Sequence, residues 1–256
     1  MLKRVWWGWC LGWCVFAAPL AHAETITVAA EDDWPPYSHA QPGTSEPQGV
    51  APRIVRAAFK TQGIDVRFVV LPFARCLMEA EKGRVVGCFN VTRTRANENT
   101  FIWHPTPMFE EELAIFGRVD AEHPAPARSL SQADLRGRSV GITVGYTYPT
   151  DFMRDPAIRR IEATSDRSLL RMLAAGRVDH ALVNTLPAYH RVAHVPELQG
   201  RVARVGSLRV DGFWLSFSKA HADGARLAGV FEQGLQSLRR SGEHARLMAT
   251  LPRGAP

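Results

Sequence analysis

One pattern occurs twice in this chain, and it constrains the fold more than any other feature. A segment reading Ile-Thr-Val, Ile26–Val28 and again Ile142–Val144, runs toward an aromatic-proline turn, Trp34-Pro-Pro-Tyr37 and Tyr146-Thr-Tyr-Pro149. Further on, each copy carries a helix-spaced apolar stretch, a Gly-Arg-Val turn at Gly83 or Gly176, and a strand ending at Asn90 or Asn184. The copies are offset by 116 residues at the first strand and by 93 at the glycine turn. A solenoid requires a constant period. Unequal offsets point instead to two related lobes with different loop lengths.

Alternation of strand and helix predicts βαβ units, a parallel sheet with helices on both faces. In the first copy Thr25–Ala30 reads as a strand, and Val50, Ile54, Val55, Ala58 and Phe59 have helical spacing up to Gly63. Val66–Leu71 is a second strand, Phe73–Lys82 a helix and Val85–Val91 a third strand. In the second copy Ser139–Val144 is a strand, Ser168–Ala175 a helix with Leu169, Leu170 and Leu173 inward, and Ala181–Val183 a strand. Phe213–Phe217 forms a late strand. Leu227, Val230, Phe231, Leu235 and Leu238 then mark a long amphipathic helix, followed after Gly242 by a short one holding Leu247 and Met248. The organisation expected is an α/β chain of two lobes joined by a hinge. Lobe 1 takes residues 24–115 plus 209–256 and lobe 2 takes 116–208, with crossings near Leu113–Arg118 and Gly206–Gly212.

The chain begins with Lys3 and Arg4, then an apolar run from Val5 to Ala18, Pro19, and Ala21-His22-Ala23. A positive start, a short apolar run and a small-x-small site form a secretory signal, cut after Ala23. The run is about 14 residues, short of the roughly 20 that span a bilayer. Cys10 and Cys14 each follow a tryptophan, not the small residue that lipidation requires. Removing the leader lowers the formal net charge from +6 to +4 and leaves two cysteines, Cys76 and Cys88. The periplasm is the expected compartment, and there the two thiols can pair. Sequence leaves them as a disulfide or as two buried thiols, because facing Cβ atoms cannot be read from spacing.

The balance of 46% hydrophobic and 22% charged residues excludes a disordered chain. With no run of five basic residues, the charge does not read as a nucleic-acid surface. Ligands of open α/β sheets sit beyond the carboxyl ends of strands. Those ends supply Glu31, Trp34 and Tyr37, then Phe73 and Arg75, then Asn90, Thr92 and Arg93 from lobe 1. Lobe 2 supplies Tyr146, Thr147 and Asn184. Aromatic walls with hydroxyl, amide and guanidinium groups suit a small polar solute. Arg75 and Arg93 are candidates for a two-pronged grip on a carboxylate. Trp34→Ala and Arg75→Ala are each expected to weaken binding without unfolding the chain.

Residues Ile26–Tyr37, Leu71–Glu98, Leu135–Gly141 with Gly145–Thr147, Leu173–Asn184 and the terminal helices resemble the exported solute-binding proteins of ABC transporters, family 3, the polar amino-acid type. The resemblance implies the type II periplasmic-binding-protein fold, in which each lobe is a mixed sheet flanked by helices and a hinge closes on solute. It also implies Trp34 stacking on the ligand, Thr92 and Thr147 as polar contacts, and an inner-membrane permease or a sensor as partner. Two positions depart from the family pattern. Asn97 stands where the carboxylate-gripping arginine is usual, and neutral Asn184 where an acid meets the ligand ammonium. An amino acid, a related carboxylate or an amine all remain open as ligands.

A monomer without cofactor is expected, and no nucleic-acid role. The rival reading is a cleft enzyme of the same fold acting on cyclic acids, with Glu31, Asp32, Asp33 or His104 as acid or base. The sequence contains no P-loop, Gly-x-Ser-x-Gly or His-Glu-x-x-His motif, and binding without catalysis is the expectation. His190 and His194 share a helix spacing but lack a third ligand at metal-site spacing, so a metal centre is not expected.

Overall fold

The computed structural model describes residues 24–252 except 42, 121 and 123. The expected signal segment lies outside the described residues. Lobe 1 begins with β1 (Glu24–Glu31), a small hairpin of β2 (Asp33–Trp34) and β3 (Ser38–His39), and α1 (Val50–Lys60). It continues through β4 (Ile64–Leu71), α2 (Phe73–Glu81), β5 (Gly87–Val91) and β6 (Phe101–Ile102). A long strand β7 (Phe109–Arg118) leads to β8 (Ser139–Thr143), α3 (Thr150–Arg154), β9 (Arg159–Ala163) and α4 (Asp166–Ala174). Then come β10 (His180–Asn184), α5 (Thr185–His194), the long return strand β11 (Val202–Ser218), α6 (Gly224–Arg240) and α7 (Glu243–Met248).

The strand order is β4-β1-β5-β11-β7-β10-β8-β9, with β6 beside β11. Strand β1 runs parallel to β4 and β5, and β8 runs parallel to β9 and β10. The two long strands pair antiparallel to each other from Val202 opposite Arg118 to Phe213 opposite Phe109. Beyond that point β11 turns to β5, Trp214 facing Val91. Among the described residues the sheet therefore passes from one half to the other through β7 and β11.

Burial divides the same way. One core joins Val28, Ile54 and Phe59 to Phe217, Phe231 and Leu235. Two others gather Phe116, Leu169 and Leu173, and Ile142, Phe152 and Leu182. The apolar spacing read in α1 and α4 faces these cores, as expected. Ser165 caps α4 by accepting from the Ser168 backbone N–H at 3.2 Å. The repeated Gly-Arg-Val turns also share a physical cause: Gly83 and Gly176 both hold left-handed φ, +72° and +69°. A Cβ at Gly83 would lie 2.9 Å from the Ala220 backbone, so only glycine fits there.

Cys76 on α2 and Cys88 on β5 are bonded, with Cα atoms 5.6 Å apart and both side chains buried. This settles the alternative that sequence left open. Several elements were not read from the sequence, among them β7, α3 and α5; two show why. Strand β9 was not expected, because Arg159-Arg-Ile-Glu-Ala163 is an edge strand whose charges mask the apolar alternation. Strand β11 starts at Val202, well before Phe213, and its register shifts at Arg204/Gly206 and Ser207/Arg209 break the two-residue period.

Candidate functional site

The ends of β1, β5, β8 and β10 converge on one cavity between the halves, of about 480 Å³ counted to its open mouth. Lobe 1 contributes Glu31, Trp34, Phe73, Asn90 and Thr92. Lobe 2 contributes Tyr146, Thr147, Tyr148, Asp166, Leu182, Val183 and Asn184, and the long strands β7 and β11 add Leu113, Asp211 and Phe213.

Glu31 is 3% exposed at the tip of β1. Asn90 follows the same edge with φ of 63°, a left-handed conformation that asparagine tolerates. Its Nδ2 donates to Glu31 Oε2 at 3.3 Å, and its buried Oδ1 has no partner. Burial pushes the Glu31 carboxyl up to about 8, against the opposing donors Tyr146 and Asn90. Across the cavity, Asp166 is also 3% exposed. Its Oδ1 accepts from Thr143 Oγ1 at 2.6 Å, while its buried Oδ2 has no partner. Burial pushes Asp166 up to about 6, with Thr143 and Arg191 acting the other way. The wall behind is aromatic. Trp34 stacks on Tyr37 with centroids 4.7 Å apart and lies 4.9 Å from Phe213.

Eight of the residues expected at strand ends thus line the cavity: Glu31, Trp34, Phe73, Asn90, Thr92, Tyr146, Thr147 and Asn184. Three do not. Tyr37 lies behind Trp34 and donates its hydroxyl to Glu111. Arg75 is exposed and pairs along its own helix with Glu79 at 3.6 Å. Arg93 is exposed, the next residue after the buried Thr92. The two-arginine grip on a carboxylate is therefore not assembled. Asn97 closes a turn by accepting from Thr94 N and donating to the Thr92 carbonyl, outside the cavity lining. His104, offered for a catalytic role, is buried between Glu232 and the Leu215 backbone N–H and does not line the cavity.

Asp166, Tyr148 and Asp211 are lining residues that sequence reasoning missed. The signal for Asp166 was the strand-end rule itself, applied to β9, the strand that went unread. Among the described residues, no group of three or more His, Cys, Asp or Glu is arranged to hold a metal ion. No described helix is long and apolar enough to cross a membrane.

The sequence matches the model of bacterial extracellular solute-binding proteins, family 3, over residues 26–250. The chain belongs to this family. Solved structures with the same architecture include a histidine kinase sensor domain similar to periplasmic binding proteins, 22% identical, covering 90% of this chain and 97% of that one, TM-score 0.75. An ancestral arginine-binding protein bound to arginine is 19% identical over 90% of this chain and 99% of that one, TM-score 0.73. The amino acid ABC transporter substrate-binding protein AbpA from Streptococcus pneumoniae, bound to L-arginine, is 18% identical over 88% and 93%, TM-score 0.70. No curated protein sequence matches the chain. At these identities the structures establish the fold, the two-lobed arrangement expected from the sequence. The family 3 protein keeps that arrangement while placing Glu31 and Asp166 around its cavity, and among the described residues no arginine lines it.

Proposed function

We propose that this solute-binding protein captures a small polar solute in the cavity between its lobes and that closure of the hinge holds it there. It acts as an exported periplasmic monomer, without cofactor and without catalysis, and hands its solute to an inner-membrane ABC permease. Lobe boundaries at 115/116 and 208/209 place the hinge within the β7–β11 pair. The carrying observation is that polar and aromatic groups reach one cavity from both sides, Thr92 and Trp34 from one, Thr147 and Tyr148 from the other. A ligand touching both walls stabilises the closed arrangement by its differential contacts. Delivery to a sensor instead of a permease is the second reading, favoured by the likeness to the histidine kinase sensor domain.

The test is a thermal-shift screen of amino acids, small carboxylates and amines on the purified protein. At least one class raises the melting temperature. Thr92→Val and Thr147→Val, one on each wall, each weaken that ligand by about tenfold, the worth of one hydrogen bond to a charged group. If only one of the two matters, the solute does not bridge the lobes.

A further inference from the structure

The polar lining of the cavity is unbalanced. Three carboxylates line it, Glu31, Asp166 and Asp211, and among the described residues no Lys, Arg or His does. Asp211 alone of the three has a cation in direct contact, Arg209. Glu31 has only the neutral donors Asn90 and Tyr146, and Asp166 only the Thr143 hydroxyl. Among the residues that line the cavity, the unpartnered buried side-chain atoms are both acceptors, Asp166 Oδ2 and Asn90 Oδ1, one on each wall. A buried acceptor left without a donor is costly, so such atoms call for one from outside the chain. The cation acting on Asp166 is Arg191, whose Nη2 donates to Asp33 at 2.6 Å and whose Nε has no partner; it does not line the cavity.

We infer that the solute is a small organic cation, an amine or guanidinium compound without a carboxylate. The inference rests on the reading of this cavity as a solute site. The cationic head donates to Asp166 Oδ2 and Asn90 Oδ1 and lies between the Glu31 and Asp166 carboxylates. Trp34, Phe73, Tyr148 and Phe213 give it aromatic faces, which attract cations. A carboxylate on the same ligand has no guanidinium to meet, since Arg75 and Arg93 face away. It would instead stand near two acidic groups. The raised position of both carboxyls agrees with a site that waits for positive charge: an arriving cation ionises Glu31 and releases its proton.

Matched pairs differing only in the carboxylate decide the matter: agmatine against arginine, and 1,5-diaminopentane against lysine, by isothermal titration calorimetry on the purified protein. The amines bind about 10- to 100-fold more tightly than their amino acids, the factor expected for losing a charge-assisted contact and gaining a repulsion. Asp166→Asn, of the same shape, lowers amine affinity by a similar factor while its circular dichroism melt shows a folded protein. Amino acids or plain carboxylates binding as tightly as the amines overturn the assignment and leave solute capture standing. No binding by any amine, amino acid or carboxylate overturns the solute reading and this inference with it. Full amine affinity in folded Asp166→Asn also overturns the assignment.

Discussion

Where the halves of the molecule meet, two regions treat charge in opposite ways. Along the seam beside the cavity, each acid has its donors. Asp33 pairs with Arg191, and Glu111 accepts from the Tyr37 hydroxyl and from the Leu186 backbone N–H at 2.9 Å. In the cavity, Glu31 and Asp166 have hydrogen bonds but no cation in contact, and Asp166 Oδ2 has nothing. Glu111 is buried like Glu31 and Asp166, so for these three exposure does not explain the difference. The seam provides donors for its acids but not partners for every group: His39 Nδ1, His190 Nδ1 and Arg191 Nε are buried there without one. A site that must accept a visitor leaves groups unsatisfied and loses stability by doing so. Burial acts on titration in both regions, and it raises the seam carboxyl of Glu111 as well. Burial raises the carboxyls of Glu31 and Asp166, while burial lowers His39 and His190 beside Arg191.

The largest effect expected is at the residue that belongs to both regions. Trp34 lines the cavity, stacks on Tyr37 of the seam and is 3% exposed. Replacement by alanine removes the stack and opens a void, so Trp34→Ala should cost about 3–5 kcal/mol of stability in urea denaturation. This revises the expectation from sequence that the substitution would spare the fold. Wild-type stability in Trp34→Ala would show that seam and cavity do not share a wall.

Next is Glu31→Gln. An acid whose native pKa lies above its unfolded value supports folding fully only below the unfolded value, here 4.5. That support drains away as pH rises toward about 8. At pH 7 the loss is about 3 kcal/mol, so the ligand-free Glu31→Gln protein should be more stable than wild type by up to about that amount. Its stability should also decline less between pH 5 and 7.5, with the raised carboxyls of Asp166 and Glu111 still contributing. A decline identical to wild type would mean that Glu31 is as well solvated in the folded protein as in the unfolded chain.

How much of this was legible in the sequence depends on what each signal measures. Core helices were readable because Leu169, Leu170 and Leu173 repeat at helical spacing and have no competing use. Gly83 and Gly176 were readable because left-handed turns demand glycine. The cavity residues after β1, β5, β8 and β10 followed from the strand-end rule. The same rule misplaced Arg75, because it names a stretch of chain and not a direction. Arg75 sits two residues beyond Phe73 on one helix, and residues two apart face different sides. Phe73 thus turns inward and Arg75 turns to Glu79. Asp166 was hidden because its strand, β9, carries Arg159, Arg160 and Glu162 on an edge where burial does not impose a pattern. The surplus of acceptors in the cavity depends on partners from distant segments, and no local spacing encodes it.

The smallest effect belongs to the seam. His39 on β3 faces Arg191, Asp33 and Gln48, and His190 on α5 faces His194, Arg191, His39 and Asp33. Burial, with the nearby positive charge, lowers both, His190 to about 4. For a histidine the sign is reversed from that of Glu31. Its support is whole above the unfolded value of 6.5 and is lost as pH falls from there toward about 4. Both rings keep partial contact with solvent, so screening holds the effect below about 1 kcal/mol. Glu31 thus contributes to the alkaline decline of stability, and His39 and His190 to the acid decline. Glu31→Gln should flatten the first and leave the second. The double variant His39→Gln, His190→Gln should do the reverse in thermal melts between pH 4.5 and 7. If both variants flatten the same limb, the two regions titrate as one body, and the division of charge between them does not hold.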